Sequence, residues 1–196
     1  MSAEASRFFD GQEISVQDRR CVVRRLARDH AARLIRFDES LSDESRRLFT
    51  PHAYDRATVD DYARRSEADT DVSFVLLSDE QEIVAYFFLW EANLEVPLLG
   101  IGVTDRFQNR GLGKRLMEIL IDTARRMGKR GIDLTTMQDN DRAFHVYESC
   151  GFQYIGDVPN LTGDGRTVVE RRLFLPLVEG ARAPERSFGP PDIVSH

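Results

Sequence analysis

The stretch from Leu98 to Met117, LLGIGVTDRFQNRGLGKRLM, constrains the fold of this chain more than any other part of it. An apolar, strand-like run ends in a short polar turn, and a glycine-rich turn then opens a helix. Leu112, Leu116, Ile119, Leu120, Ala124 and Met127 recur at helical spacing, with Glu118, Asp122, Arg125 and Arg126 off that stripe. Gly111 and Gly113 fall where the helix begins. The first N–H groups of a helix have no partner within it, and the aligned peptide dipoles leave partial positive charge there. Glycine lets a ligand come close to that backbone. Arg110, Lys114 and Arg115 add charge at the same end. Together these features ask for a phosphate-bearing ligand.

Two common phosphate loops do not fit. A P-loop needs glycine six residues before its lysine; counting back from Lys114 gives Gln108, and Arg115 stands where a hydroxyl residue belongs. A dinucleotide fingerprint starting at Gly100 and Gly102 needs a third glycine where the chain has Asp105.

The run Gln108-Asn109-Arg110-Gly111-Leu112-Gly113, Q-x-x-G-x-G, resembles the acyl-coenzyme A pyrophosphate loop of the GNAT superfamily of N-acetyltransferases. A second strand-like run, Ile132 to Met137, and then Asn140 to Phe152 follow in order. The latter resembles that family's N-x-x-A-x-x-x-Y-x-x-x-G-F helix. The resemblance extends over roughly Cys21 to Leu177 and is specific between Leu98 and Phe152. A weaker likeness joins Val22 to Asp29 and Leu41 to Phe49 to the opening of the bacterial protein-lysine acetyltransferase branch, with Leu48 where that branch has arginine.

The resemblance implies an α/β fold: one domain with a mixed, mostly antiparallel, twisted sheet, splayed at one parallel strand pair, with helices on both faces. It implies that Gln108, Asn109, Arg110, Gly111, Leu112, Gly113 and Lys114 wrap the pyrophosphate of acetyl-CoA. Backbone groups of Ile101 and Val103 hold the pantetheine arm and polarise the thioester carbonyl. Tyr147 protonates the departing thiolate, and Asn140 contacts the cofactor. Each residue also has a plainer reading. Tyr147 shares a helical stripe with Ala143 and Cys150, as core residues do. Asn140 suits an N-cap, and the basic residues suit a solvated helix face. Gly100 and Gly102 inside a strand mark a bulge or a close approach to the backbone.

The general base is not fixed by the motifs. Deprotonating a lysine-like amine at pH 7 costs about 4.6 kcal/mol, so a base or water chain should help. Related protein acetyltransferases place a glutamate where this chain has Pro97 and Leu98; the nearest carboxylates are Glu95 and Glu91, and Glu95 is the candidate. His30, His52, Cys21 and Cys150 have no metal-ligand spacing, so no metal is expected.

Length suits one domain, expected at residues 20–178. An N-terminal extension at 1–19 precedes it, and a proline-rich tail at 179–196, mobile or docked on a neighbour, follows. A net charge of −6 argues against a nucleic-acid partner. No membrane span or signal peptide is recognisable, which points to the cytoplasm. The expected chemistry is direct attack by a primary amine, of a small molecule or a protein lysine or N-terminus, on acetyl-CoA in a ternary complex. A non-catalytic acyl-CoA-binding or sensing module is the alternative, and a homodimer stays open. The acceptor is expected to enter beside the first helices and a Gly156–Gly165 loop, near Phe87 and Trp90.

Overall fold

The apolar run Ile83-Val84-Ala85-Tyr86-Phe87-Phe88-Leu89-Trp90 reads as a strand covered on both faces, and in the computed structural model all of it is buried. The structure describes residues 7–191. Their element order is β1 (Glu13–Val16), β2 (Arg19–Arg25), a 3₁₀ turn (Arg28–His30), α1 (Ala31–Glu39), α2 (Asp43–Leu48), α3 (Arg56–Glu67), β3 (Val72–Ser78) and β4 (Ile83–Trp90). Then follow β5 (Leu98–Val103), a 3₁₀ turn (Asp105–Phe107), α4 (Leu112–Arg126), β6 (Gly131–Met137), α5 (Asp141–Ser149), β7 (Gln153–Leu161) and β8 (Thr167–Pro176). The strands form one sheet in the order β1-β2-β3-β4-β5-β6-β8-β7. Every neighbouring pair is antiparallel except β5 and β6.

Alternation along β4 divides the core. Ala85, Phe87 and Leu89 pack with Leu116, Met117 and Leu120 of α4 on one face. Tyr86, Phe88 and Trp90 pack with Leu34 and Phe37 of α1 and Val59 and Tyr62 of α3 on the other. Burying each of these large side chains stabilises the fold by about 1.5–3 kcal/mol. Phe87, expected near the acceptor, therefore faces α4, and its neighbour Phe88 takes the opposite side. Among the described residues no helix is long and apolar enough to cross a membrane.

Three expectations about the margins change. Residues 13–16, assigned to an extension, form β1 and register with β2 from Glu13↔Val22 to Val16↔Arg19. Only Ile14 and Val16 of that strand turn inward, so its polar composition concealed it. The segment after Tyr154 is strand through Leu161; the loop is confined to the hairpin tip at Thr162–Arg166. A register shift between Tyr154 and Gly156, with Gly156 at φ +133°, lets the strand continue past the glycine. An edge strand with a wet face carries polar residues, so it read as loop.

The described part of the tail docks on its own domain. Arg186 donates to the Val96 carbonyl at 3.0 Å and pairs with Glu91. Arg172 donates to the Pro184 carbonyl at 2.6 Å, and the Leu161 N–H to the Phe188 carbonyl at 3.0 Å. Phe188 is buried in the α1–α3 half of the core. Residues 192–196 lie outside the described residues.

Candidate active site

The parallel strands β5 and β6 register only at Leu98↔Asp133, where the Asp133 N–H also reaches the Pro97 carbonyl at 3.0 Å. Asp133 is fully buried and takes Arg172 Nε at 3.0 Å, with Arg186 at 3.9 Å, so charge pairs clamp this crossing point. Burial pushes the Asp133 carboxyl up; the two arginines pull the other way. Past the clamp β5 continues against β4 and β6 against β8, and a wedge opens between them. Thr104 N–H bonds to β4. Strand alternation therefore aims the N–H and C=O groups of Leu99, Ile101 and Val103 toward the wedge.

A cavity of about 280 Å³ fills this wedge. Of the residues named from sequence, Ile101, Val103, Gln108, Asn109, Gly111, Gly113, Lys114, Asn140 and Tyr147 line it. Arg110 is exposed and Leu112 is buried in the core, so neither side chain does. At the entrance Asn109 and Gly111 have φ of +59° and +75°, which curls the loop ahead of α4. A Cβ placed on Gly111 or Gly113 would meet nothing within 4 Å. Packing does not require glycine at these positions; the bare backbone leaves room for a ligand at the amides that begin α4. The residues present thus fit a diphosphate with an attached arm running along β5.

The inner glycines have a different reason. A Cβ on Gly100 would lie 2.3 Å from the Phe88 ring, and one on Gly102 2.3 Å from the Phe49 ring. The close approach expected from sequence is made by the protein's own aromatics.

Gln108 is a latch. Its Nε2 donates to the Val103 carbonyl at 2.9 Å and to Ser45 Oγ at 3.0 Å, and its Oε1 accepts from Arg142 at 2.8 Å. Arg142, which the motif reading passed over, also donates to Asn109 Oδ1 at 3.1 Å and ties α5 to the loop. Asp105 accepts from Ser42 Oγ at 2.6 Å and Ser45 Oγ at 2.7 Å. Burial raises its carboxyl, but these hydrogen bonds win and hold it below the usual range. The serines of the weaker sequence likeness therefore tether α2 to the turn after β5.

Asn140 caps α5, its Oδ1 accepting the Ala143 N–H at 3.2 Å. Tyr147 lies about two turns further along α5 on the same face and packs 6.1 Å from the Phe152 ring. Burial, reinforced by the charge of Glu170, pushes its phenol well above the usual range. It stays protonated, as a proton donor must.

Glu95 stands elsewhere. It is exposed, 3.7 Å from Arg130, and lines a separate surface hollow with Glu91 and Arg186. The chain crosses the β4–β5 connection on the far side of the Asp133 clamp, so neither carboxylate lines the wedge. A buried carboxylate, Glu170 on β8, lines a cavity next to the wedge. It is 7% exposed and accepts from Asn160 Nδ2 at 2.9 Å. Burial raises its carboxyl, opposed by hydrogen bonds from Thr135 and Asn160. Leu173 and Leu175 join the α4 side of the core, so the even-numbered residues of β8 face the other way. Sequence held one signal for it, an acidic residue interrupting the strand run Thr167 to Leu175. A second cavity, of about 110 Å³, holds Glu170 together with Phe49, Phe88, Trp90, Asn160 and Phe188. The two cavities share Leu48, Phe49, Leu99, Gly100 and Thr135 as walls.

Residues 35–152 match the model of the Acetyltransferase (GNAT) family. The chain belongs to the GNAT acetyltransferase family. Among its relatives is the N-alpha-acetyltransferase RimI of Mycobacterium tuberculosis, 45% identical over 56 residues, 29% of this chain and 34% of that protein. The chain thus spans about a third of RimI's length. Among solved structures, the GNAT domain of S. lividans PAT superposes with a TM-score of 0.69 at 21% identity, covering 90% of this chain and 99% of that one. The yncA protein of Salmonella typhimurium, solved with its cofactor acetyl-CoA, gives a TM-score of 0.63 at 19% identity, covering 84% and 98%. At these identities the structural likenesses speak for the GNAT fold, including the single parallel pair.

Proposed function

We propose that this protein transfers an acetyl group from acetyl-CoA to a primary amine. One observation carries the reading. A single wedge has glycine-bared helix amides at its mouth and the neutral phenol of Tyr147 inside it. Helix amides and Lys114 hold the pyrophosphate, each contact contributing roughly 0.3–1 kcal/mol. The inward-facing groups of Ile101 align the arm as an added strand would; the Val103 carbonyl is already taken by Gln108. A backbone N–H of β5 stabilises charge on the carbonyl oxygen as the amine attacks, and Tyr147 gives its proton to the leaving thiolate. Among the described residues no side chain is arranged as an activated nucleophile, which supports direct attack over a covalent enzyme intermediate.

Thermal unfolding with acetyl-CoA, ATP and NAD tests the donor. At a hundredfold excess over Kd, acetyl-CoA should stabilise by about 2.7 kcal/mol; equal protection by ATP or NAD would refute the reading. Thiol release with a panel of amines tests turnover. Binding without release above the buffer rate would instead establish a sensing module.

A further inference from the structure

The second cavity is unlike the first. It is less than half the volume, about 110 against 280 Å³, and four aromatic residues, Phe49, Phe88, Trp90 and Phe188, stand in its walls. Phe88 and Trp90 stack with centroids 3.9 Å apart, and the Phe49 ring lies 6.3 Å from Phe88. Phe188 closes the pocket from the tail, fixed by the Leu161–Phe188 hydrogen bond and the Arg186 anchors. Glu170 is the carboxylate lining it, and Asn160 orients that group. Arg47 also lines the pocket, but its guanidinium is drawn outward by a two-point pair with Asp139 at 2.9 and 3.2 Å. Aromatic faces and a carboxylate attract an ammonium and suit an apolar stem. Leu99, Gly100 and Thr135 are walls of both this pocket and the wedge that holds Tyr147, and the charge of Glu170 is felt at the Tyr147 phenol. The family match ends at residue 152, before Glu170 and Phe188, so neither belongs to the matched motif region.

We infer that this pocket is the acceptor site, that it takes a primary ammonium on a slender, unbranched apolar stem, and that Glu170 receives the ammonium proton. The inference rests on the donor reading of the wedge. In the step, the ammonium gives one proton to the Glu170 carboxylate, and the freed nitrogen pair attacks the thioester carbon. The C–S bond breaks as the C–N bond forms, and Tyr147 protonates the sulfur. Nitrogen loses two protons in all: one leaves through Glu170 to solvent, and the other replaces the proton Tyr147 gave. The products are the amide, free thiol and one proton. A carboxyl raised by burial is better matched to this task than an exposed glutamate. Phe188 sets which stems fit.

The test uses the full chain, acetyl-CoA, and three amines: n-hexylamine, the α-branched 2-aminoheptane, and 2,2,2-trifluoroethylamine, which is largely neutral at pH 7. Wild type should prefer n-hexylamine to 2-aminoheptane by about tenfold or more. Phe188→Ala should shrink that ratio while leaving acetyl-CoA affinity unchanged. Glu170→Gln, which keeps the size and an acceptor for Asn160, should lose about 10²-fold or more in kcat with n-hexylamine. It should lose far less with trifluoroethylamine, because no proton need be removed before attack. Equal losses with both amines would show a structural role and overturn the assignment, as would a rate within threefold of wild type. A ratio unmoved by Phe188→Ala would overturn the pocket. If acetyl-CoA does not bind wild type, the donor reading falls and takes this one with it. If it binds and only the acceptor results fail, the donor reading stands alone.

Discussion

The two cavities that meet at Leu99 and Gly100 are built from different material. The wedge is drawn largely from one stretch between Leu98 and Tyr147 and offers the backbone groups of β5 and of the start of α4. The smaller pocket is drawn from α2, β4, β5, β6, β8, the β7–β8 hairpin and the docked tail, with aromatic rings and one carboxylate among its walls. A ligand read by amides needs only a strand, a turn and a helix in order, so chemistry shared across a family settles there. A ligand read by rings and one carboxylate depends on parts far apart in the chain.

That contrast can be broken most directly at Tyr147, inside the wedge. Tyr147→Phe should lower kcat by about 10²–10⁴-fold, the range expected for losing a general acid. Acetyl-CoA affinity, measured by calorimetry, should stay within about twofold because the wedge is otherwise intact. A variant that loses donor affinity in step with kcat would place Tyr147 in binding alone.

The next largest effect belongs to the clamp that separates the halves. Arg172→Met leaves the fully buried Asp133 with Arg186, 3.9 Å away, as its remaining charge partner. Removing one partner of a buried pair costs about 3–5 kcal/mol. Urea unfolding should show that loss, and limited proteolysis should cut the tail near Pro184, whose carbonyl loses its donor. An unchanged tail would mean that Phe188 and Arg186 hold it without Arg172.

The same division explains what the sequence disclosed. The helix after Gly111, the strand before it and the α5 cap were readable because each has a local cause: periodicity, glycine, an N-cap side chain. Strand β1 was hidden because only two of its residues turn inward, and β7 because an edge strand exposes polar residues. Glu170 was hidden for a stronger reason. It comes to lie beside the wedge only because β8 pairs with β6, while β7, which follows α5 in the chain, takes the sheet edge, and no local pattern encodes that order. Glu95 looked better placed because nearness in sequence to β5 stood in for nearness in space.

The α1–α3 side of the core also carries a pH signature. His52 is fully buried and stacked 4.3 Å from the Tyr62 ring, with Nδ1 2.8 Å from the Ala53 carbonyl. Burial pushes its pKa down to about 4, against the pull of that hydrogen bond. The folded state thus keeps His52 neutral where the unfolded chain, with an ordinary value near 6.5, binds a proton. Between those two values the unfolded state holds more protons, so stability falls as pH falls, by about 3 kcal/mol across the window. His52→Phe should flatten that slope in urea titrations from pH 7 to 4. A slope that survives the substitution would move its origin to other groups.

The smallest expected effect separates ligand from packing most cleanly. Gly113 sits in the first turn of α4, and a side chain there would meet no protein atom within 4 Å. Replacing glycine by alanine in a helix favours folding by about 0.5–1 kcal/mol. Were the glycine conserving stability alone, Gly113→Ala would be a plain improvement. A pyrophosphate resting on the adjacent amides reverses the result for the ligand, because the new methyl occupies its approach. The variant should therefore melt higher without ligand and bind acetyl-CoA about tenfold more weakly, while its turnover at saturating donor stays near wild type. Gly111→Ala differs in sign on the first count: at φ +75° an alanine is strained, so stability falls as well. A Gly113→Ala protein that is both more stable and equally tight for acetyl-CoA would show that the diphosphate does not rest on these amides.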